Sequence, residues 1–442
     1  MKKLKLFNLA WPIFVETLLF MLLGFVDVFV LSRYDDLAAS SVNTANQAIS
    51  ITTIVFTVIS TASAVLISQY LGAKKRENAS RIAALSITFH LIFGVIISAV
   101  YVLFSKPILS FIGAEGTVLD FASQYLSIVG GFIFFQALLS SMSVIIRNHG
   151  MTQISMYVTL GMNVMNTALD VIFVLGLFGL PKMGVMGVAI ATTFSRIVGT
   201  IILAVVLFKK VEKPSIFKLL KPFPKEDVKN IVKIGVPSAF ETFLYNISQV
   251  VITSIVLNCL TDAELITKTY VQNITMFFYI FTVAISQASQ IITGHLVGAR
   301  EFDQVKRKAY RHYLYALAIT MTISVLGIIF SKDLMRIFTD NPEVIAMGSV
   351  VLMINIFLEA GRTTNLVIIG CLRGAGDVYF PTICAVFSMM LVSTLGSYIL
   401  AVVCGLGIYG LWIAIAADEV IRGIFMLFRW RSEKWKTKGI NK

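Results

Sequence analysis

The sequence predicts an all-α polytopic membrane protein of twelve transmembrane helices, arranged as two six-helix lobes. Three observations predict it: long apolar blocks, a one-sided distribution of basic residues, and an internal duplication. Hydrophobic residues make up 57% of the 442 and charged residues only 14%, with a mean hydropathy of +0.84. A soluble chain of this size needs far more polar surface. The apolar blocks run to roughly twenty residues or more, the length that crosses a bilayer core. Lipid offers no partner to bare backbone, so the blocks must be helices or strands of a closed barrel. They lack the alternation of barrel strands, and helices remain.

In chain order the predicted helices are 7–31, 41–70, 83–104, 118–145, 154–178, 184–208, 229–257, 268–296, 309–330, 343–370, 378–405 and 408–430. The first is a full span and is read as retained, because the nearest small-residue run, Ala38-Ala39-Ser40, lies behind Asp35-Asp36. Helix 6 carries the small-residue stretch from Gly184 into Ile197–Phe208. The segment between helices 6 and 7 holds three prolines and six lysines, with Lys229 opening helix 7, and reads as a connector.

Basic residues sort these loops into two sides. With this reading 29 of the 37 Lys and Arg lie on one side, including Lys74, Lys75 and Arg76, the connector lysines, and the run after Arg422. Only Arg33, Lys106, Lys182, Lys268, Lys332 and Arg336 lie on the other. The positive-inside rule then places both termini and the connector in the cytoplasm. The net charge of +13 is accounted for by topology and by anionic lipid headgroups, and nucleic acid is excluded as a partner.

The halves repeat. Pro12-x-x-x-Glu16-Thr17 returns as Pro237-x-x-x-Glu241-Thr242 at an offset of 225. Gly72-Ala73-Lys74 returns as Gly298-Ala299-Arg300, and Arg147 with Gly150 as Arg373 with Gly376, both at 226. Gly184 and Gly187 return as Gly407 and Gly410 at 223. A nearly constant offset over this length marks duplication. Six helices per half predict a parallel repeat about a pseudo-twofold axis along the membrane normal, with the binding site between the halves. The expected domains are an N-lobe over 1–208, a cytoplasmic linker over 209–228, a C-lobe over 229–430 and a basic tail over 431–442.

Ionisable side chains inside spans are costly and mark function. Helix direction puts Asp27, Asn166, Asp170 and Thr192 at one depth of the first lobe, with Asn166 and Asp170 on one helix face. Oxygen ligands of this kind suit a hard cation such as Na⁺, while two neighbouring carboxylates suit proton carriage. The alternative is that both aspartates cap or bond neighbouring helices near the interface. Candidates for the substrate cleft are Glu16, Asn43 and Gln47 in the first half, and Glu241, Tyr245, Gln249, Gln272, Asn273, Glu359 and Arg362 in the second. Glu359 and Arg362, three apart, form a self-neutralising pair. Asp418, Glu419 and Arg422 rank below these, as a buried network or as groups near the interface. Met and Phe, 17 and 33 in number, supply an adaptable apolar wall for varied ligands.

At these residues the sequence resembles the multidrug and toxic compound extrusion (MATE) family over its whole length. The resemblance rests on Pro12 with Gly24-Phe25-Val26-Asp27, Gln69-Tyr70-Leu71-Gly72-Ala73, Asn166-x-x-x-Asp170, Gly187-x-x-Ile190-Ala191-Thr192, Pro237-x-x-x-Glu241 and Leu372-Arg373-Gly374-x-Gly376-Asp377. It implies two lobes around a V-shaped cleft and export of cationic or amphipathic organic compounds in exchange for Na⁺ or H⁺. It also implies a cation site at Asp27, Asn166, Asp170 and Thr192, and a first helix that bends at Pro12. Where some relatives have an acid in helix 10 this chain has Arg362, so a second cation site is not carried over.

Two other readings remain. A lipid-linked sugar flippase of the same superfamily would need a cationic cleft, and the membrane interior holds only Arg196, Arg362 and Arg422. A membrane-embedded enzyme would need a nucleophile beside a base, and His90, His149, His295 and His312 are scattered. No nucleotide-binding loop or zinc motif occurs, and Cys259, Cys371, Cys384 and Cys404 lack metal spacing. The expectation is therefore a monomeric exporter of the plasma membrane, not an enzyme, with no cofactor beyond its coupling ion.

Overall fold

The computed structural model describes residues 4–32 and 34–440, apart from the side chains of Phe25, Val28 and Asp36. Lys2, Lys3 and Lys442, which count among the 29 basic residues of one side, and Arg33 of the other lie outside the described residues. The helices are α1 (Leu6–Ser32), α2 (Asp36–Gly72), α3 (Arg76–Phe111), α4 (Gly116–Gly130 continued by Ile133–Asn148), α5 (Thr152–Leu175) and α6 (Gly184–Val211). The second half has α7 (Lys225–Cys259), α8 (Asp262–Gly298), α9 (Phe302–Ile329), α10 (Pro342–Gly374), α11 (Tyr379–Val403) and α12 (Gly407–Arg431). Each expected span is matched by one helix. Ten are long and apolar enough to cross a membrane, and bent α4 makes an eleventh. The twelfth, α12, has 25 residues, and Asp418, Glu419 and Arg422 dilute its apolar character.

The expected boundaries fall short because an apolar run marks the bilayer core and not the helix. α2 and α8 each have 37 residues, about 55 Å at 1.5 Å per residue against about 30 Å of hydrocarbon. Their polar turns therefore project beyond the lipid. Breaks have local causes. Pro107 in α3 is preceded by Phe104 at φ −125°, ψ 21°, where the ring removes a backbone donor. α4 bends by 48° at Phe132, with Gly130 against the Tyr101 ring.

The repeated motifs turn out to be the turns. Lys74 (φ 60°) and Arg300 (φ 59°) take the left-handed conformation at the same place in both halves, as do Gly150 (φ 82°) and Gly376 (φ 90°). Left-handed backbone is rare for a residue with a Cβ, so the duplication preserved chain geometry as well as composition.

The chain divides into two compact units, Met1–Ile67 with Lys75–Gly235 and Ser68–Lys74 with Val236–Lys442. In the first, α1 packs on α5 and α5 on α6, while α3 packs on α4. Pro12 leaves the Asn8 carbonyl without its helical donor, and the Thr152 hydroxyl of α5 supplies one at 3.0 Å. The connector is fastened to this unit by Arg76 to the Val211 carbonyl (3.2 Å), Ser80 to Glu212 (2.7 Å) and Arg81 to Asp227. In the second unit α10 is the central helix, packed on α8, α9 and α12.

Candidate functional site

In the first unit α1, α5 and α6 bring the four predicted residues together. Asn163 of α5 donates to the Leu19 carbonyl at 2.7 Å, which locks α5 to α1 in register. Gly187 lets α6 approach α5, since a Cβ there would lie 2.9 Å from that of Phe173. These contacts leave Asp27, Asn166, Asp170 and Thr192 buried, none more than 5% exposed. The Asn166 amide nitrogen donates to Asp170 Oδ2 (3.1 Å) and Asp27 Oδ1 (3.2 Å), and its oxygen accepts from the Thr192 backbone N–H at 3.2 Å. The reverse orientation offers only a 3.4 Å contact to Thr192 Oγ1 and turns the amide oxygen on the carboxylates. One amide nitrogen thus reaches both carboxylates, and Asp170 Oδ1 has no hydrogen-bond partner.

Two residues not foreseen in this role complete the surroundings. Tyr125 of α4, 1% exposed, reaches Thr192, and Arg196 lies one turn along α6, within electrostatic reach of Asp27 and Tyr125. Arg196 stands at i+4 from Thr192 on the same face, a spacing that could have flagged it. The cluster holds two carboxylates and one guanidinium, so it carries one negative charge in excess when fully ionised. A buried excess charge calls for a proton or a bound cation.

The cleft candidates separate into groups. Glu16 and Glu241 are not free acids. Arg147 lies 3.7 Å from Glu16, and Arg373 donates to Glu241 at 2.8 Å. The same ion pair thus occurs in each half, joining the middle of α1 or α7 to the end of α4 or α10. Spacing along one helix cannot show a partner on another, although the common offset of both residues was a usable signal. Asn43 and Gln47 are exposed on α2, and Asn273 is half-buried on α8.

Tyr245, Gln249, Gln272 and Arg362 do meet, lining one cavity of the second unit with Ser248, Ser393 and Trp412. Its charged wall includes α12, ranked low from sequence. Glu359 pairs with Arg362 at 2.7 Å, and Arg362 lies 3.9 Å from Glu419. Arg422 pairs with Glu419 at 2.9 Å and with Asp418 at 2.7 Å. Asn365 donates to Glu419 at 2.9 Å, and Ser388 to Asp418. Arg362 also lies 4.6 Å from the centre of the Tyr279 ring. The i,i+3 and i,i+4 spacing of Asp418, Glu419 and Arg422 carried this signal, but not their depth.

With this geometry in hand, comparison with known proteins is decisive. A family model described as MatE matches residues 12–172 and again 237–399, one copy to each half. The chain belongs to the MatE family. It is similar to an uncharacterized transporter, YisQ, of Bacillus subtilis, at 39% identity over 99% of this chain and 96% of that one. A probable multidrug resistance protein, NorM, of Thermotoga maritima is 28% identical over 99% of this chain and 94% of its own. Among solved structures, a Vibrio cholerae MATE transporter matches with a TM-score of 0.88 at 20% identity, covering 98% of each chain. This MatE protein is therefore a multi-pass membrane transporter and not an enzyme.

Proposed function

We propose that the protein is a cation-coupled antiporter that exports cationic or amphipathic organic compounds by alternating access. The observation that carries this reading is the buried pair Asp27 and Asp170, bridged by Asn166 and free of a basic ion-pair partner among the described residues. A transporter whose carboxylate pair keeps one negative charge in excess of Arg196, with no salt bridge to either acid, can exchange a small cation there without breaking one. The coupling ion is H⁺ or Na⁺; with its N–H groups on the carboxylates Asn166 suits a proton-carrying pair, and turned over it would offer Na⁺ an oxygen.

In the proposed cycle the protein, open to the cytoplasm, takes up substrate. A cation entering from outside then neutralises the aspartate pair and favours the arrangement that releases substrate outward. Cation and substrate need not touch, because each need only prefer a different state. Pro12, with its broken backbone ladder, is the point at which α1 bends. The protein works as a monomer in the plasma membrane, with both termini in the cytoplasm, as the basic loops require.

The test is efflux of a fluorescent organic cation from proteoliposomes under separately imposed Na⁺ and pH gradients, for wild type and Asp27→Asn. Efflux driven by the pH gradient and lost in the variant is expected. Efflux under the Na⁺ gradient alone would replace the proton with Na⁺. Folded protein without efflux under either gradient would overturn the reading in favour of a narrow exporter or a lipid flippase.

A further inference from the structure

The turn after α2 is placed unusually for its position in the chain. Ile67 and Lys75 belong to the first compact unit, yet the Ser68–Lys74 stretch between them belongs to the second. Its packing there is tight enough to need glycine at three places. A Cβ at Gly72 would fall 1.9 Å from the His295 carbonyl oxygen, one at Gly298 2.0 Å from the Gln69 carbonyl oxygen, and one at Gly294 1.9 Å from Ser68 Oγ.

The segment that follows α12 closes over the same place. Glu433, at φ 58°, turns the chain back, and the Trp435 ring stacks on Trp430 with centroids 4.5 Å apart and planes 8° from parallel. Both rings are fully buried, and Trp435 Nε1 donates to the Trp430 carbonyl at 3.0 Å. Glu433 accepts from Lys306 and from Lys436, each at 2.6 Å. The turn thereby brings Ile440 to α2, where its backbone N–H donates to Gln69 Oε1 at 2.9 Å. The other end of that amide donates to the Gly374 carbonyl of α10 at 2.8 Å. Gln69 is 2% exposed and spends its whole side chain on these two bonds.

A side chain committed this way is more than filler. It ties α2 to the end of α10 and lets the segment after α12 sense whether α2 is seated. We propose that Ser432–Ile440 is a latch and that Gln69 is the positioning residue through which it holds the end of α2 in place. Releasing the latch then favours the state in which Ser68–Lys74 leaves α8. The orphaned amide and peptide groups would regain water on release, so the latch is reversible.

The experiment needs neither substrate nor coupling ion, so its outcome is independent of the antiport reading. Ser68→Cys serves as reporter, its side chain being fully buried against Gly294, with Cys259, Cys384 and Cys404 replaced and buried Cys371 retained. Maleimide labelling of the protein in nanodiscs is compared in three backgrounds: wild type, Gln69→Leu, and Glu433→Gln. The second variant loosens the latch without touching α2. The expected result is slow labelling in the first, acceleration on the order of tenfold in Gln69→Leu, the scale of one or two lost hydrogen bonds, and of about threefold in Glu433→Gln, whose ion pairs are half-exposed. Unchanged labelling in both, with melting temperatures near wild type, would overturn the proposal. Acceleration in Gln69→Leu alone would also overturn it, since Gln69 would then brace α2 without the segment. If Gln69→Leu fails to fold, Glu433→Gln decides by itself.

Discussion

The two halves began as copies and keep their mechanics while differing in charge. Both retain the Pro-x-x-x-Glu motif inside α1 or α7, the arginine that reaches that glutamate, and the left-handed turn after α2 or α8. They differ where a cation would sit. In the first half the carboxylates of Asp27 and Asp170 face each other across an amide. In the second, Val392 and Gly396 stand at the duplicated positions of Asn166 and Asp170. Thr253, in the region of α7 equivalent to Asp27, accepts a hydrogen bond from Lys268 at 2.9 Å. The acids of the second half have moved to α10 and α12, and each has a guanidinium beside it. An ion-paired carboxylate must lose its partner before it can take up a cation, whereas the Asp27–Asp170 pair need not. The division points to exchange in the first half and a charged scaffold in the second.

The largest effect should therefore separate the halves. Asp170→Asn is expected to reduce gradient-driven efflux on the order of a hundredfold, the upper range of a coupling free energy, while Glu359→Gln lowers it less than about tenfold. Proteoliposome efflux of both variants at matched protein levels makes the comparison. Equal losses would erase the proposed division of labour.

Stability should show the opposite asymmetry. Arg422→Met leaves Asp418 and Glu419 buried without their shared partner, a loss of about 3–5 kcal/mol for a broken buried pair. Combining it with Asp418→Asn should recover part of that loss, because one of the stranded charges is gone. Thermal unfolding in detergent measures both. A neutral Arg422→Met would mean that water reaches the network and that it is no scaffold.

The retained ion pairs offer a smaller and internal comparison. Arg373 donates to Glu241 at 2.8 Å, while Arg147 lies 3.7 Å from Glu16. Removing a hydrogen-bonded charged partner costs about 1.5–3 kcal/mol, so Arg373→Ala should be destabilising on that scale in thermal unfolding. No measurable loss would mean that the Arg373–Glu241 pair is no part of the second half's scaffold.

Legibility in the sequence followed the range of each interaction. The twelve helices could be read because apolar length is a local property. Asp27 with Asn166 and Asp170 could be grouped because helix direction and an i,i+4 spacing fix depth and face. What escaped was set between helices. Glu16 looked like a cleft acid until Arg147 was found beside it, and Tyr125 gives no sign in its own segment that it reaches Thr192. Asp418 and Glu419 lay close enough to the end of an apolar run to pass for interfacial groups. The path of Ser432–Ile440 onto Gln69 depends on a left-handed residue at Glu433, which no local pattern announces.

The smallest prediction concerns that path, and it sets the second half apart once more. Hydrogen bonds from Lys306 and Lys436 hold the Glu433 carboxyl down to about 2, below its ordinary value of 4.5. A depressed carboxylate stabilises the folded form above its unfolded pKa, and that contribution is lost only as pH falls through the folded value. The latch should thus stay closed across neutral and mildly acidic pH. Tryptophan emission followed through an acid titration should show the Trp430–Trp435 stack unchanged down to about pH 4.5, with the Glu433-dependent change only nearer 2. Glu433→Gln removes the titrating group and should abolish that difference. A Glu433-dependent midpoint between pH 5 and 7 would make the latch itself a proton sensor, and the separation between an exchanging half and a fixed one would fail at that point.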